Sequence, residues 1–180
     1  MALETEVIRR ILEGDIESFR FLLERYEKPV ISMIRSITDD RESCEDIAQD
    51  VFFTVYKKLA SFDPARSDFS TWLFTIARNK SLNALKKKRV FSASELPERT
   101  DQTNPSDCLT QKELFERLDG ELQVLPSRQR RAFVMAEIEK LSYEQIAQIE
   151  GARLGTIKSR INRAKKKLRS ALAELDGEAV

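Results

Sequence analysis

The sequence predicts an all-α protein made of two small helical bundles that are joined by an extended linker. Glycine and proline are scarce, with five of each in 180 residues. Apolar residues recur three and four positions apart along most of the chain, which is the spacing of one helix face. The spacing stops between Val90 and Thr110, where polar residues and proline indicate an extended linker. We therefore expect one bundle over residues 1–90, a flexible acidic linker over 91–110 and a second bundle over 111–180.

Two helices begin the first bundle. The segment Glu4–Glu13 carries apolar residues on one side and is ended by Gly14, and Asp15 can cap the next helix. The spacing from Ile16 to Ile37 predicts a long second helix. Pro29 lies inside it, so we expect a kink or a break there.

The third helix, from near Ser43 to about Leu59, has two different sides. The inward side is predicted to consist of Ile47, Ala48, Val51, Phe52, Val55 and Leu59. Another side carries Asp46, Gln49, Asp50 and Phe53. An aromatic ring among acids is an unfavourable solvent face unless something covers it. The spacing leaves open whether Phe53 packs within its own bundle or is covered by a partner.

A loop and a fourth helix complete the first bundle. Pro64 and a polar cluster interrupt the period in Ser61–Thr71, and a helix is predicted from about Ser70 to Arg89. Its inward residues are Leu73, Ile76, Ala77 and Ala84. A second stripe contains Trp72, Thr75, Asn79, Asn83 and Lys86. An aromatic ring beside amides and lysines suits single-stranded nucleic acid, and burial of Trp72 in the core is an equally open alternative.

The second bundle starts with two predicted helices. The first is marked by Leu114, Phe115, Leu118, Leu122 and Leu125. Leu125–Pro126–Ser127 predicts a break followed by a cap. The next helix is marked by Ala132, Phe133, Met135, Ala136 and Ile138.

A helix-turn-helix is predicted at the end of the chain. Ser142 and Gln145 form a capping box, and Gly151 supplies a helix stop. The second helix, from around Gly155–Thr156, has one buried stripe, which consists of Ile157, Ile161, Ala164 and Leu168. Its free side carries Ser159, Asn162, Arg163 and Lys166, flanked by Lys158, Arg160, Lys165, Lys167 and Arg169. Such a helix suits a DNA major groove, and the alternative is a basic face that is simply solvated.

Composition argues against several classes of protein. The chain has no histidine, so histidine-based catalysis and histidine metal ligation are excluded. Cys44 and Cys108 are far apart, which gives no support for a zinc site and fits a reducing cytoplasm. No apolar run approaches the roughly 18–20 residues that a membrane span needs. The net charge of +1 conceals an acidic stretch at Asp39–Asp50 and basic stretches at Arg78–Arg89 and Arg153–Arg169.

These motifs, in this order, resemble those of the extracytoplasmic-function (ECF) sigma factors of bacterial RNA polymerase. EDIAQDVF (Glu45–Phe52) resembles the polymerase-binding helix, and FSTWLFTIARN (Phe69–Asn79) resembles the promoter-melting segment. Three further segments resemble the family's second domain: Leu125–Phe133, Leu141–Ala147 and Gly155–Leu168. The resemblance implies a chain that binds core polymerase, directs it to specific promoters and assists melting, with no catalytic activity, metal or cofactor.

The resemblance also assigns residues to three surfaces. Contact with the clamp helices of the polymerase's largest subunit would involve Asp46, Gln49, Asp50 and Phe53. The minus-ten element would be bound by Asp63, Arg66, Ser67, Phe69, Ser70, Thr71, Trp72, Arg78, Asn79, Lys80, Asn83, Lys86 and Lys87. The minus-thirty-five element would be bound by Thr156, Lys158, Ser159, Arg160, Asn162, Arg163 and Lys166.

The partners implied are core RNA polymerase, including the flap of its second-largest subunit, promoter DNA and an anti-sigma factor that holds the free chain inactive. We expect a cytoplasmic protein without membrane insertion, held near the membrane where its anti-sigma factor is anchored there. The alternative is a stand-alone helix-turn-helix regulator, which would bind its promoter without polymerase. A helical enzyme has no support, because histidine, a glycine-rich phosphate loop and a metal-ligand cluster are all missing from the sequence.

Overall fold

The computed structural model describes residues 2–38, 42–92 and 120–177, and every regular element within them is helical. The α-helices are α1 (Ala2–Leu12), α2 (Phe19–Arg35), α3 (Glu42–Lys58), α4 (Phe69–Ser92), α5 (Ser127–Phe133), α6 (Tyr143–Glu150) and α7 (Leu154–Gly177). Short 3₁₀ turns lie at Ile16–Ser18 and Leu59–Ser61, and residues 120–124 are helical. The all-α prediction is confirmed. Most of the predicted linker lies outside the described residues. So do Leu114, Phe115 and Leu118, which mark the first predicted helix of the second bundle.

Local signals place the first two helices near their predicted positions, but the break expected at Pro29 does not occur. Gly14 has a φ of +107°, and the side chain of Asp15 accepts a hydrogen bond from the backbone N–H of Ser18. Helix α2 continues through Pro29 without a break. Proline removes one backbone hydrogen bond, but Val30 and Met33 behind it are fully buried. Packing therefore outweighs the missing bond and keeps the helix continuous.

Helix α4 lies at the centre of the first bundle. It packs against α2, α3 and α6, so it is buried on more than one side. Leu73 and Ala77 are inaccessible, as the apolar spacing predicts. Phe74 is also buried, and the sequence pattern did not indicate this because its position falls outside the predicted inward stripe. The predicted inward residues of α3 are all buried as well, namely Ile47, Ala48, Val51, Phe52, Val55 and Leu59.

The helix-turn-helix has the predicted form. Ser142 and Gln145 make both hydrogen bonds of a capping box. Gly151 follows α6 in the left-handed conformation, with a φ of +59°. In α7, the predicted stripe of Ile157, Ile161, Ala164 and Leu168 is buried.

One detail of the second bundle differs from the prediction. Pro126 occupies the position before α5, and no side chain caps that helix, so the predicted cap is wrong. Ser127 is instead the first residue of the helix. A π-helical turn, Val134–Ile138, extends α5 toward Lys140, which has a φ of +55°.

The two halves of the chain pack against each other, which the sequence could not indicate. Helix α6 of the helix-turn-helix lies against α4, and the turn after α5 contacts α2. The apolar core is continuous from Leu73 and Ala77 to Met135 and Ile146. The helix-turn-helix therefore rests on the helix that carries Trp72 and Arg78.

Replacing Gly151 by alanine should lower the free energy of unfolding by about 1–2 kcal/mol, the cost of a left-handed L-residue. Gly155→Ala is the matched control, because a Cβ atom would meet nothing within 4 Å at either glycine and only Gly151 has a positive φ. The control should be neutral or stabilising, by up to about 1 kcal/mol, because alanine favours a helix. Urea unfolding measures both, and equal losses would contradict the backbone explanation.

Candidate nucleic-acid interface

The free side of α7 presents polar and basic groups to solvent. Its buried stripe packs against the rest of the second bundle, and this fixes which side faces outward. The exposed residues include Thr156, Lys158, Ser159, Asn162, Arg163 and Lys166. Arginine and asparagine can make forked hydrogen bonds to base edges, and lysine can neutralise phosphates. This side of α7 therefore has the chemistry of a major-groove helix.

Arg160 differs from its neighbours on α7. Its side chain is only 18% exposed, and Nη1 lies 3.2 Å from Oε2 of Glu150. The sequence placed Arg160 with the phosphate-binding residues. In this structure its charge is already paired with a carboxylate.

Glu150, the last residue of α6, is surrounded by three arginines. Its side chain is 2% exposed, and Arg131 binds both of its oxygens, with Nε at 2.9 Å and Nη2 at 3.0 Å. Arg78 of α4 adds a contact from Nε to Oε1 at 3.2 Å. Each carboxylate oxygen therefore has two contacts with arginines, which satisfies a charge that would be costly to bury alone. Sequence reasoning missed Glu150, because nothing local distinguishes it from other acids.

Two opposing effects act on the carboxyl group of Glu150. Burial raises its pKa, but the hydrogen bond from Arg131 and the positive charges of the arginines outweigh burial. The pKa consequently lies below its ordinary value of 4.5. Glu150 is therefore an anion at neutral pH.

The outer stripe of α4 is partly covered by an aromatic cluster. The ring of Trp72 lies 5.4 Å from Phe62 and 5.9 Å from Phe69, measured between centroids. Trp72 is half-buried, so it serves the core and still reaches the surface. The exposed residues further along α4 are Asn79, Asn83, Lys86 and Lys87. Lys80 lies 3.5 Å from Asp50 of α3, so it is paired within the first bundle.

The loop before α4 is only partly exposed. Asp63 and Arg66 face solvent, and a carboxylate oxygen of Asp63 accepts a hydrogen bond from the backbone N–H of Ala65. Ser67 and Ser70 are half-buried. The exposed part therefore offers one acid and one base to a ligand.

Phe69 and Thr71 are corrections to the expected DNA surface. Phe69 is 3% exposed and packs edge-on against Tyr26 and Phe62, and Thr71 is 1% exposed. The expectation of direct DNA contact placed both side chains on the surface, whereas they lie in the core. Helix α4 packs against α2 and α3, and the side of its first turn that carries Phe69 and Thr71 faces that core.

The acidic side of α3 lies next to an apolar cleft. Asp46, Gln49 and Asp50 are exposed, and the Phe53 ring is 58% exposed beneath the ammonium of Lys57, 4.2 Å from its centroid. The cleft has a volume of about 720 Å³ between α2 and α3, and its apolar lining includes Phe19, Leu23, Ile31, Phe52, Phe53 and Tyr56. The possibility that Phe53 packs within its own bundle is therefore wrong. The α2 side of the cleft was missed, because the apolar spacing of that segment indicated a helix and nothing about a surface.

Metal and membrane sites find no support in the part of the chain that the structure describes. No group of three or more Cys, Asp or Glu residues there could hold a metal ion. Likewise, no helix in residues 2–38, 42–92 and 120–177 combines the length and apolarity of a membrane span.

Comparisons with known proteins match both halves of the chain. The family model for sigma-70 region 2 matches residues 22–90, and the model for sigma-70 region 4 matches residues 115–168. The ECF RNA polymerase sigma factor RpoE of Cereibacter sphaeroides is 32% identical over 160 residues, covering 88% of both chains. The ECF RNA polymerase sigma factor SigW of Bacillus subtilis is 28% identical over 180 residues, covering 93% of this chain and 96% of its own.

Solved structures show the same fold. The sigma factor RpoE of Bartonella quintana, in complex with the anti-sigma factor NepR, is 26% identical with a TM-score of 0.74. The match covers 87% of this chain and 98% of that one. CnrH, solved with the cytosolic domain of CnrY, is 24% identical with a TM-score of 0.69, covering 94% of this chain and 96% of its own. The second likeness supports the fold alone.

Acid should destabilise the chain through Glu150. A lowered pKa in the folded state gives stability that is present above the ordinary value of 4.5 and is lost as pH falls through the folded value. Glu150→Gln removes the titrating group. The variant should therefore be less stable than the unchanged chain, and this difference in stability should be largest at pH 7 and shrink below pH 4.5. Urea unfolding from pH 7 downward measures this difference, and a difference that stays constant with pH would refute it.

Proposed function

The chain belongs to the ECF sigma factors, and on that premise we propose which of its surfaces bind core RNA polymerase, the minus-ten element and the minus-thirty-five element. A sigma factor binds core polymerase, directs it to specific promoters and assists promoter melting. We assign polymerase binding and the minus-ten element to residues 1–90, and the minus-thirty-five element to residues 111–180, with 91–110 as linker. The observation that carries the assignment is the exposed acidic side of α3 with an open apolar cleft beside it.

Core polymerase is assigned to the acidic side of α3. The contact residues are Asp46, Gln49, Asp50 and Phe53, and the partner is the pair of clamp helices in the largest subunit. Covering the ring of Phe53, which is 58% exposed, would contribute about 1–2 kcal/mol, since full burial of a large apolar side chain contributes roughly 1.5–3 kcal/mol. The carboxylates around it would attract basic groups and fix the orientation of the complex.

Promoter melting is assigned to the outer side of α4 and to the loop before it. The exposed or half-buried residues that support this are Asp63, Arg66, Ser67, Ser70, Trp72, Arg78, Asn79, Lys80, Asn83, Lys86 and Lys87. Unstacking a base costs roughly a few kcal/mol. Stacking on an aromatic side chain returns about 1–3 kcal/mol per base, so captured single-stranded bases can hold the duplex open.

Duplex reading is assigned to the exposed side of α7. Ser159, Asn162 and Arg163 would contact base edges, and Thr156, Lys158, Arg160 and Lys166 would contact the backbone. The second bundle would also bind the flap of the polymerase's second-largest subunit. Because both this bundle and the first one bind polymerase, the stand-alone regulator becomes the weaker alternative.

An anti-sigma factor is the proposed regulator of the free chain. Support comes from RpoE of Bartonella quintana, which was solved in complex with the anti-sigma factor NepR. The same proposal places this chain in the cytoplasm, where its polymerase and promoters lie. It is held near the membrane only where the anti-sigma factor is anchored there.

Arg163→Ala should weaken discrimination between the correct and a mutated minus-thirty-five sequence by about 1–3 kcal/mol, the value of one forked contact to a base. The matched control is Arg169→Ala, which removes an exposed arginine from the same helix outside the proposed reading residues. The control should weaken both duplexes equally. Fluorescence anisotropy with holoenzyme and the two promoters measures the difference, and equal loss with Arg163→Ala would make it a phosphate contact.

Asp50→Arg should abolish binding to core polymerase while leaving the fold intact. Asp50 is 70% exposed, so its pair with Lys80 contributes little to stability. Glu17→Arg is the control, because it makes the same charge change at an exposed acid away from α3. Gel filtration with core polymerase, together with a thermal melt, tests both variants. Normal holoenzyme formation by Asp50→Arg would refute the assignment of this face.

A further inference from the structure

Polar contacts between the two halves centre on Glu150. Its carboxylate binds Arg78 across the two halves and Arg160 of α7 within the second half, each at 3.2 Å. A second contact joins Gln145 of α6 to the carboxylate of Asp68, at 2.9 Å. These contacts lie beside the apolar packing of α6 on α4.

The arrangement brings together two arginines that the proposed function places far apart on DNA. Arg78 is assigned to the melted minus-ten region, and Arg160 is assigned to the minus-thirty-five element. Elements about 25 base pairs apart are separated by about 85 Å along B-DNA, at about 3.4 Å per base pair. In this structure both guanidinium groups bind the same carboxylate. The closed chain therefore cannot contact both elements at once.

We propose that Glu150 is an autoinhibitory latch, which holds the free chain closed by binding Arg78 of the first half and also pairs with Arg160 in its own half. This inference rests on the proposed function, because it takes Arg78 and Arg160 to be DNA contacts. The latch neutralises both charges and keeps the halves too close to span a promoter. Promoter binding then requires the contact between Arg78 and Glu150 to break.

Arg131 makes this latch reversible. An unpaired buried carboxylate would oppose opening, because leaving such a charge alone is strongly unfavourable. Arg131 is 5% exposed and binds both oxygens of Glu150 from within the second bundle. When Arg78 leaves, Glu150 keeps this two-point pair. DNA phosphates then compete for the arginines of the latch. Opening therefore replaces an ion pair with Glu150 by an ion pair with a phosphate, and the carboxylate of Glu150 stays paired with Arg131.

The closed arrangement leaves the polymerase surface free. Asp46, Gln49, Asp50 and Phe53 remain exposed while the latch is shut. Core polymerase can therefore bind the closed chain first, and promoter binding follows once the halves separate. This order keeps the free chain from spanning a promoter without any second protein.

The first test measures the distance between the halves of the full chain. Cysteines are introduced at Ala60 and Ser170, which are exposed positions in the two halves, in a Cys44→Ala, Cys108→Ser background. Spin labels on these cysteines report the distance between the halves by pulsed electron paramagnetic resonance. The parent should give one short, narrow distance. Arg78→Ala and Glu150→Gln should each give a longer and broader distribution. Lys28→Ala, which removes an exposed charge elsewhere in the first half, should match the parent.

Arg78→Ala is the decisive variant because it leaves Glu150 paired with Arg131 and Arg160. Glu150→Gln supplements it, with a thermal melt to establish that it folds. A short distance retained in Arg78→Ala would overturn the latch. A long, broad distance in the parent chain would overturn it too, because the closed state would then not be populated.

The second test measures binding of the free chain to promoter DNA that carries both elements, with the minus-ten region held open by mismatches. Glu150→Gln removes the latch and keeps both arginines, so it should bind up to about tenfold more tightly than the parent if the closed state is favoured about ten to one. Unchanged affinity despite a longer distance would overturn the inhibitory role. Arg163→Ala on the same DNA tests the proposed function separately. If it loses no discrimination, the DNA assignment fails, while the distance measurement still judges the latch.

Discussion

A single buried carboxylate connects the parts of this protein. Glu150 ends α6 at the point where the helix-turn-helix, α5 and α4 meet, and it is 2% exposed. An unpaired charge there would be strongly destabilising, so the surrounding helices must supply cations. Arg131 supplies a two-point pair from within the second bundle, and Arg78 and Arg160 add contacts. The position of α6 on α4 is therefore tied to residues that also suit DNA binding.

The division between buried and free sides gives α7 its function. Ile157 and Ile161 are fully buried, and their packing sets the rotation of the helix about its axis. The polar side, with Asn162 and Arg163, faces solvent as a consequence. No special geometry is needed beyond helical periodicity, because residues on opposite sides of a helix are separated by construction. The reading surface is thus a by-product of core packing.

The acidic side of α3 shows the opposite relationship between packing and function. Phe53 is left outside the core, 58% exposed, beside an apolar cleft that α2 and α3 form together. An exposed ring and an open apolar cleft are costly in an isolated chain, and a partner that covers both removes that cost. The carboxylates of Asp46 and Asp50 at its edge give the partner a preferred charge. Core polymerase is the partner that we propose for this face.

The sequence by itself determined the helices, most of their caps and most of their inward residues, because these depend on contacts within a few positions of the chain. The capping box of Ser142 and Gln145 and the left-handed Gly151 are signals of this local kind. Only the tertiary structure decided that Phe69 is buried and that Glu150 meets Arg78, 72 positions away. Such pairs depend on how separate helices pack, and no local periodicity encodes that arrangement. The motifs could therefore be predicted from the sequence, whereas the contact between Arg78 and Glu150 across the two halves could not.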